Sequence, residues 1–359
     1  MREQFVRMKY IKHGLLVLFL FSCLANTKAQ QDALFSQSYA SPIYLSPSFT
    51  GLTDGSRLVL NYRDQWPGIP GTYSSVVFSV DHFFREYSSG LGLLFVRDDQ
   101  GKGQLVKQNF GLAYAYEFEV FRDIFVRPGI QFKYAEQKID PSKLRPPEDI
   151  NPDDGTYLPG SAYIATESYK QFDATASAMI YSDFFWVGIV VDHLVKKDIG
   201  YTDIETYLPI KTTVYSGYKI RYREGGRKHD EQSVTVAMNY HNQGKFNQLD
   251  VGAYWYVNPL EMGLWYRGIP GASSGLTNND AIIMILGITV GNIRFSYSYD
   301  YTLSALSGSS NGTNEFAIMY RFNQGYKKKS KRGAMPCSQS GYGRTSGSSK
   351  YRRSSRKIF

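Results

Sequence analysis

From Arg57 to Phe322 apolar and polar positions alternate along the chain. In Phe110-Gly111-Leu112-Ala113-Tyr114-Ala115-Tyr116-Glu117-Phe118, one set of positions carries Phe110, Leu112, Tyr114, Tyr116 and Phe118; the other carries Gly111, Ala113, Ala115 and Glu117. The same period places Val126, Pro128, Ile130, Phe132 and Tyr134 against Arg127, Gly129, Gln131 and Lys133. It also places Ile293, Phe295, Tyr297 and Tyr299 against Arg294, Ser296, Ser298 and Asp300. Successive side chains of a strand point to opposite faces, so this pattern predicts strands with one large apolar face and one small or charged face. Fourteen such segments can be marked: 57–63, 72–83, 90–97, 104–119, 123–136, 171–182, 184–194, 210–223, 233–242, 247–257, 260–267, 280–290, 292–302 and 314–322. Pro128 lacks the N–H a ladder needs and predicts a bulge or a displaced boundary in its segment.

A soluble sandwich also turns an apolar face inward, so alternation needs support from elsewhere. The apolar faces are rich in Tyr and Phe toward the segment ends, where rings sit at a headgroup level. Charged residues share the opposite faces, which suits a wet or plugged lumen, because an unpaired buried charge is costly. The even count fits a closed transmembrane antiparallel barrel. The expected fold is all-β: a barrel of about 14 strands with a short N-terminal plug-like segment and a disordered basic C-terminal tail. Short turns at Asp183 and Gly291-Asn292 contrast with Gln137 to Lys170, which contains Pro141, Pro146, Pro147, Pro152 and Pro159. Barrels keep short turns in the periplasm and long loops outside, so Gln137 to Lys170 is expected to be an extracellular loop or a lumen plug.

Charge and composition then divide the chain. The formal charge is +9, from Lys+Arg 41 and Asp+Glu 32. Five basic residues and one acidic residue precede position 30, and eleven basic residues lie beyond position 325. The body keeps 25 basic and 31 acidic residues, a net −6. A nucleic-acid-binding fold loses its support. Arg7, Lys9 and Lys12 precede the apolar run Leu15 to Phe21, and Thr27-Lys28-Ala29 offers small residues for cleavage. This reads as an export signal over 1–29 with the mature chain starting at Gln30; a lipobox ending in Cys23 is the competing reading. Next come a periplasmic or plug segment (30–56), the barrel (57–325) and a basic Ser/Gly-rich tail (326–359). The tail has too little apolar content to fold alone. Lys327, Lys328, Lys329, Lys331, Arg332, Arg352 and Arg353 make a tether to peptidoglycan, anionic headgroups or an acidic partner the expected role of the tail, with an inert tail as the competing reading.

Candidate chemistry is sparse. His82, His193, His229 and His241 lie far apart in the sequence without metal-ligand spacing, and no nucleophile is paired with a base. Glu148, Asp149, Asp153 and Asp154 do not follow the EF-hand spacing and read as solvated loop acids. Gly68-Ile69-Pro70-Gly71 recurs as Gly268-Ile269-Pro270-Gly271, each copy shortly after a Tyr-Arg pair. Similar turns or duplicated hairpins both explain the recurrence. Enzymatic activity is not expected, and no cofactor is implied.

Several stretches resemble the PorP/SprF-like outer-membrane proteins of the type IX secretion system of Bacteroidetes. They are Gln31 to Gln37; Pro42 to Gly51, similar to NPLYxNPAxAG; Asn61-Tyr62-Arg63-Asp64-Gln65-Trp66-Pro67-Gly68, similar to NYRxQWPG; and Gly188 to Leu194, similar to GLSxxHL. Tyr297 to Ser304 resembles YSYDxxLS, and Asn314-Glu315-Phe316 with Tyr320-Arg321-Phe322 resembles the closing strand. Ser46, Ser48 and Asn314 depart from the pattern. The resemblance implies a non-enzymatic accessory role in the outer membrane. Its implied partners are a secreted adhesin or secretion components including periplasmic ring lipoproteins, with gliding motility among the processes served. Arg63, Trp66, Asp300 and Glu315 are the expected partner-contacting or lumen residues. The alternative reading is a channel or transporter for a small solute.

Overall fold

The computed structural model describes residues 32–53, 55–69, 71, 73–101, 105–139, 167–195, 207–223, 232–244, 246–269, 278–303 and 308–322. The expected export signal with Cys23, the acids at 148–154 and the basic tail with Cys337 lie outside them. So do residues 140–166 of the proline-rich connection.

Alternation produces fifteen strands: β1 (Ser56–Gln65), β2 (Tyr73–Phe84), β3 (Ser89–Gln100), β4 (Leu105–Tyr116), β5 (Phe118–Phe121), β6 (Ile124–Ile139), β7 (Glu167–Tyr181), β8 (Phe185–Asp192), β9 (Lys211–Arg223), β10 (Gln232–Gln243), β11 (Phe246–Val257), β12 (Leu260–Ile269), β13 (Asn278–Val290), β14 (Ile293–Thr302) and β15 (Thr313–Phe322). Neighbours pair antiparallel, β1 pairs with β15, and β4 pairs directly with β6, which closes the ring. β5 prolongs β4 past Glu117 in the same register against β6. The barrel therefore has fourteen staves and one extra short strand. β6 keeps its register through Pro128, which faces Ala178 of β7. The interruption expected at that proline falls instead on the neighbouring strand, at Glu117 between β4 and β5.

The outward positions are large and apolar all round the ring. Leu93, Phe110, Phe132, Ile220, Leu264, Leu286 and Phe316 are exposed, and Phe172 reaches 72 %. A continuous apolar surface of this kind is untenable in water and matches the lipid-facing band of a transmembrane barrel. Among the described residues no helix is long and apolar enough to cross a membrane.

The interior departs from the expected small-or-charged face. Trp186, Tyr215, Tyr254 and Trp265 point inward and form one apolar cluster with Tyr39 and Phe49 of the N-terminal segment. Phe35 and Ile43 of the same segment pack with Val77, Leu94, Val96 and Ala113. Glycines make room for the rings. Gly217 lies opposite Trp186 and Gly188 opposite Tyr215 in the β8–β9 register. A Cβ at Gly217 would come within 2.2 Å of the Trp186 ring. The lumen is thus packed like a protein core, each buried Phe or Ile of the segment contributing about 1.5–3 kcal/mol over its exposed state.

Candidate functional site in the lumen

The interior is organised by residues 32–53. Pro42–Leu45 form a single helical turn with proline at its start, and Pro47–Phe49 form a 3-10 turn whose leading Ser46 accepts a hydrogen bond from Ser48 N at 3.2 Å. Gly51, at φ +65, then carries the chain toward β1, where a Cβ would sit 2.6 Å from Gly90 Cα. Successive polar anchors hold this thread to strands on opposite sides of the ring, which only an occupant of the lumen can reach.

The first anchor is a charged clamp on Asp32. His193 follows β8 at φ +60 and donates from Nε2 to Asp32 at 2.8 Å and from Nδ1 to Asp173 at 2.7 Å. Lys211 Nζ lies 3.3 Å from Asp32. Lys133 bonds Asp192 and lies 3.4 Å from Asp173. Two carboxylates facing one ring demand an imidazolium. Burial opposes that charge, but Asp32 and Asp173 outweigh it and raise the His193 pKa to about 9. Burial likewise opposes ionisation of Asp32, and the imidazolium with Lys211 holds its carboxyl well below the usual range. Asp32, Asp192 and His193 bring possible metal-ligand atoms within 4.8 Å of one another. Lys133, Lys211 and the imidazolium already match the three carboxylates in charge, so a cation is not required there.

The clamp makes a pH prediction. A group whose folded pKa is raised contributes stability that is complete below its unfolded value near 6.5 and is lost as pH rises through about 9. The shift corresponds to about 3 kcal/mol at most. Between pH 7 and pH 10 the segment around Asp32 should become accessible to proteases in detergent-solubilised protein. His193→Gln should be accessible already at pH 7 and show a flat profile.

Ser36 and Gln37 meet the second anchor. Glu315 accepts from Ser36 N at 2.7 Å, Gln37 N at 3.1 Å, Asn61 Nδ2 at 2.8 Å and Arg63 Nη1 at 3.1 Å. Arg63 Nη1 also lies 3.1 Å from Asp300 and donates to Ser36 Oγ at 2.6 Å. Arg267 joins Asp300, at 3.5 Å, to Asp250, at 3.2 Å. The arginines of the two Tyr-Arg pairs seen in the sequence, Arg63 and Arg267, therefore converge on Asp300 from β1 and β12.

The third anchor lies where the segment nears β1. Arg57, fully buried, bonds Asp81 and donates to Phe49 O at 3.0 Å; Asp81 in turn accepts from Gly51 N at 2.6 Å. Arg127 donates to Ser48 O at 3.0 Å, to Thr50 O and to Glu117, which also accepts from Tyr181. The break between β4 and β5 thus marks the residue that turns into the lumen to meet Arg127. Two spaces left between segment and wall measure about 40 and about 50 Å³, room for a few waters at about 10–15 Å³ each.

Of the residues singled out in the sequence, Arg63, Asp300 and Glu315 meet in the lumen. Trp66 does not join them. It stands past the end of β1 at φ 58, donates its N–H to Gly312 O at 3.0 Å and packs edge-on against Tyr73. Glu117, Arg127 and Lys133 lie on the charged face that strand parity assigns to the lumen, whereas Asp32, His193, Asp173, Lys211, Arg57, Asp81 and Arg267 are not singled out there by the sequence. Strand parity carries a signal for some of them, since Arg57 and Asp81 face each other in register. The basic tail residues lie outside the described residues.

A closed antiparallel ring with a lipid-type exterior and a lumen occupied by the chain's own N-terminal segment defines an outer-membrane β-barrel protein. Residues 27–320 match the family described as type IX secretion system membrane protein PorP/SprF. The chain belongs to that family. Among solved structures it is similar to the CymD monoaromatic hydrocarbon channel, with 11 % identity, TM-score 0.45, and 81 % of this chain and 95 % of that one covered. A FadL homologue of Pseudomonas aeruginosa shows 11 % identity and TM-score 0.41 over 75 % and 90 %. The KdgM porin shows 8 % identity and TM-score 0.34 over 74 % and 99 %. No curated protein matches the sequence.

Proposed function

We propose that this protein is a non-enzymatic accessory barrel of type IX secretion that supports the export or surface anchoring of a large adhesin. The single observation that carries this reading is the filled lumen. The ion pair of Asp32 with His193, hydrogen bonds from the buried Arg57–Asp81 and Arg63–Glu315 pairs and an aromatic core hold residues 32–53 across the ring, and two cavities beside the segment measure about 40 and about 50 Å³. A barrel so occupied among its described residues presents its two ends and their connections to partners. Membership of the PorP/SprF family supports the secretion context.

Deleting the gene and restoring it in trans tests the proposal. The expected result is loss of one large protein from the cell surface, its recovery on complementation, and copurification of the barrel with that protein or with periplasmic ring lipoproteins. Intact surface display together with impaired uptake of a small solute would instead favour the channel.

A further inference from the structure

We propose that residues 32–53 run through this barrel from its cell-surface end, so that Asp32 is held at the outer mouth. Two independent features lead there: the course of the segment and the sidedness of the ring.

The course is set by its partners, taken in order. Asp32 meets His193 and Lys211, which bracket the connection from β8 to β9. Ser36 meets Glu315, near the start of β15, and Asp300, near the end of β14. Tyr39 donates to Asn239, midway along β10, at 3.2 Å. Ser48 bonds Ser177 and receives Arg127, near the start of β6. Gly51 meets Asp81, and Gly55 O accepts from Phe83 N, beside the first residue of β1. The Tyr44 hydroxyl reaches back to Ala33 O at 2.6 Å, but the two ends of the segment are anchored at opposite mouths. Asp32 therefore sits at the end opposite the one where β1 begins.

Sidedness follows from the connections. At the end where β1 begins and β15 finishes they are 85–88, 122–123, 182–184, 224–231, 258–259 and 291–292. At the Asp32 end they include 140–166, 193–210 and 303–312. Bacterial barrels keep short turns in the periplasm and long loops outside. The mouth that holds Asp32 is the outer one, and the mouth beside Ser56 is periplasmic. A partner approaching from the cell surface accordingly meets the beginning of the plug and the charged clamp on it. The claim concerns the path of the chain and holds whatever cargo the barrel serves.

A short epitope inserted between Gln31 and Asp32 of the full-length chain tests this in intact cells. Reference insertions go into the 303–312 and 291–292 connections. Antibody should reach the first tag and the 303–312 tag without permeabilisation, and the 291–292 tag only after it. A tag before Asp32 that is reached only after permeabilisation, while the 303–312 tag is reached on intact cells, overturns the path. Surface exposure of the 291–292 tag overturns the sidedness and the proposal with it. Should the tagged chain fail to assemble, Gln31→Cys in a Cys23→Ser, Cys337→Ser chain replaces it, read with a membrane-impermeant maleimide. Labelling on intact cells is expected, and labelling confined to lysed cells overturns the proposal.

Discussion

Arg63→Ala should destabilise the barrel by about 3–5 kcal/mol, the cost of leaving buried carboxylates without their cation. Arg63 is the donor shared by Asp300 and Glu315, and all three side chains are at most 4 % exposed. Arg267 partly compensates Asp300 from 3.5 Å, but Glu315 keeps only Asn61 and the backbone of Ser36 and Gln37. The measurement is the temperature at which the compact barrel band unfolds on semi-native gels, together with the urea midpoint in detergent. The charge account makes a second demand. Arg63→Met combined with Asp300→Asn and Glu315→Gln removes the imbalance with little change of volume, and should recover most of the stability that Arg63→Ala loses. If the triple variant is no more stable than Arg63→Ala, side-chain packing rather than uncompensated charge is responsible.

That cluster also shows how much could be read from the chain alone. The staves were legible because each strand meets lipid on one face for most of its length, and a constant environment writes a regular period of two. β14, with Ile293, Phe295, Tyr297 and Tyr299 outward, is an example. The interior was less legible because its environment changes from residue to residue. Parity turns Arg127 inward, but nothing in the sequence tells that it meets a plug carbonyl rather than lumen water. Inward Trp186 and Tyr215 read the same as lipid-facing rings until the opposing Gly217 and Gly188 are placed in register. Long-range pairing was invisible for a simpler reason: Asp32 and His193 stand 161 positions apart, and no local period links them. Trp66 takes the rim position open to it as a barrel-shaping anchor. It is close to Arg63 in sequence, but its left-handed backbone conformation turns the chain at the rim and separates the two side chains. Charged residues on inward parity, matched across neighbouring strands as Arg57 and Asp81 are, carried the recoverable signal.

Removing residues 32–53 should convert a silent barrel into a conducting one. Barrels of about eight strands are filled by their own side chains, whereas about 16 to 18 strands enclose an aqueous channel. Fourteen staves lie near the upper of these limits, and here the filling comes from the segment. Without it Arg57, Arg63, Arg127, Asp81, Asp300 and Glu315 would face one another across water, and ions could pass between them. In planar bilayers the intact chain should show no steady current, and the shortened chain discrete openings. The deletion also bares Trp186, Tyr215, Tyr254 and Trp265, so its unfolding temperature on semi-native gels should fall well below that of the intact chain. If it does not fold, Arg57→Ala with Arg127→Ala loosens only the half of the segment nearest the start of β1 and should give intermittent openings. Current through the intact chain equal to that of the shortened one would mean that the segment does not seal the lumen. The accessory reading would then yield to the channel, because the same ion pairs would be lining a pore instead of holding it shut.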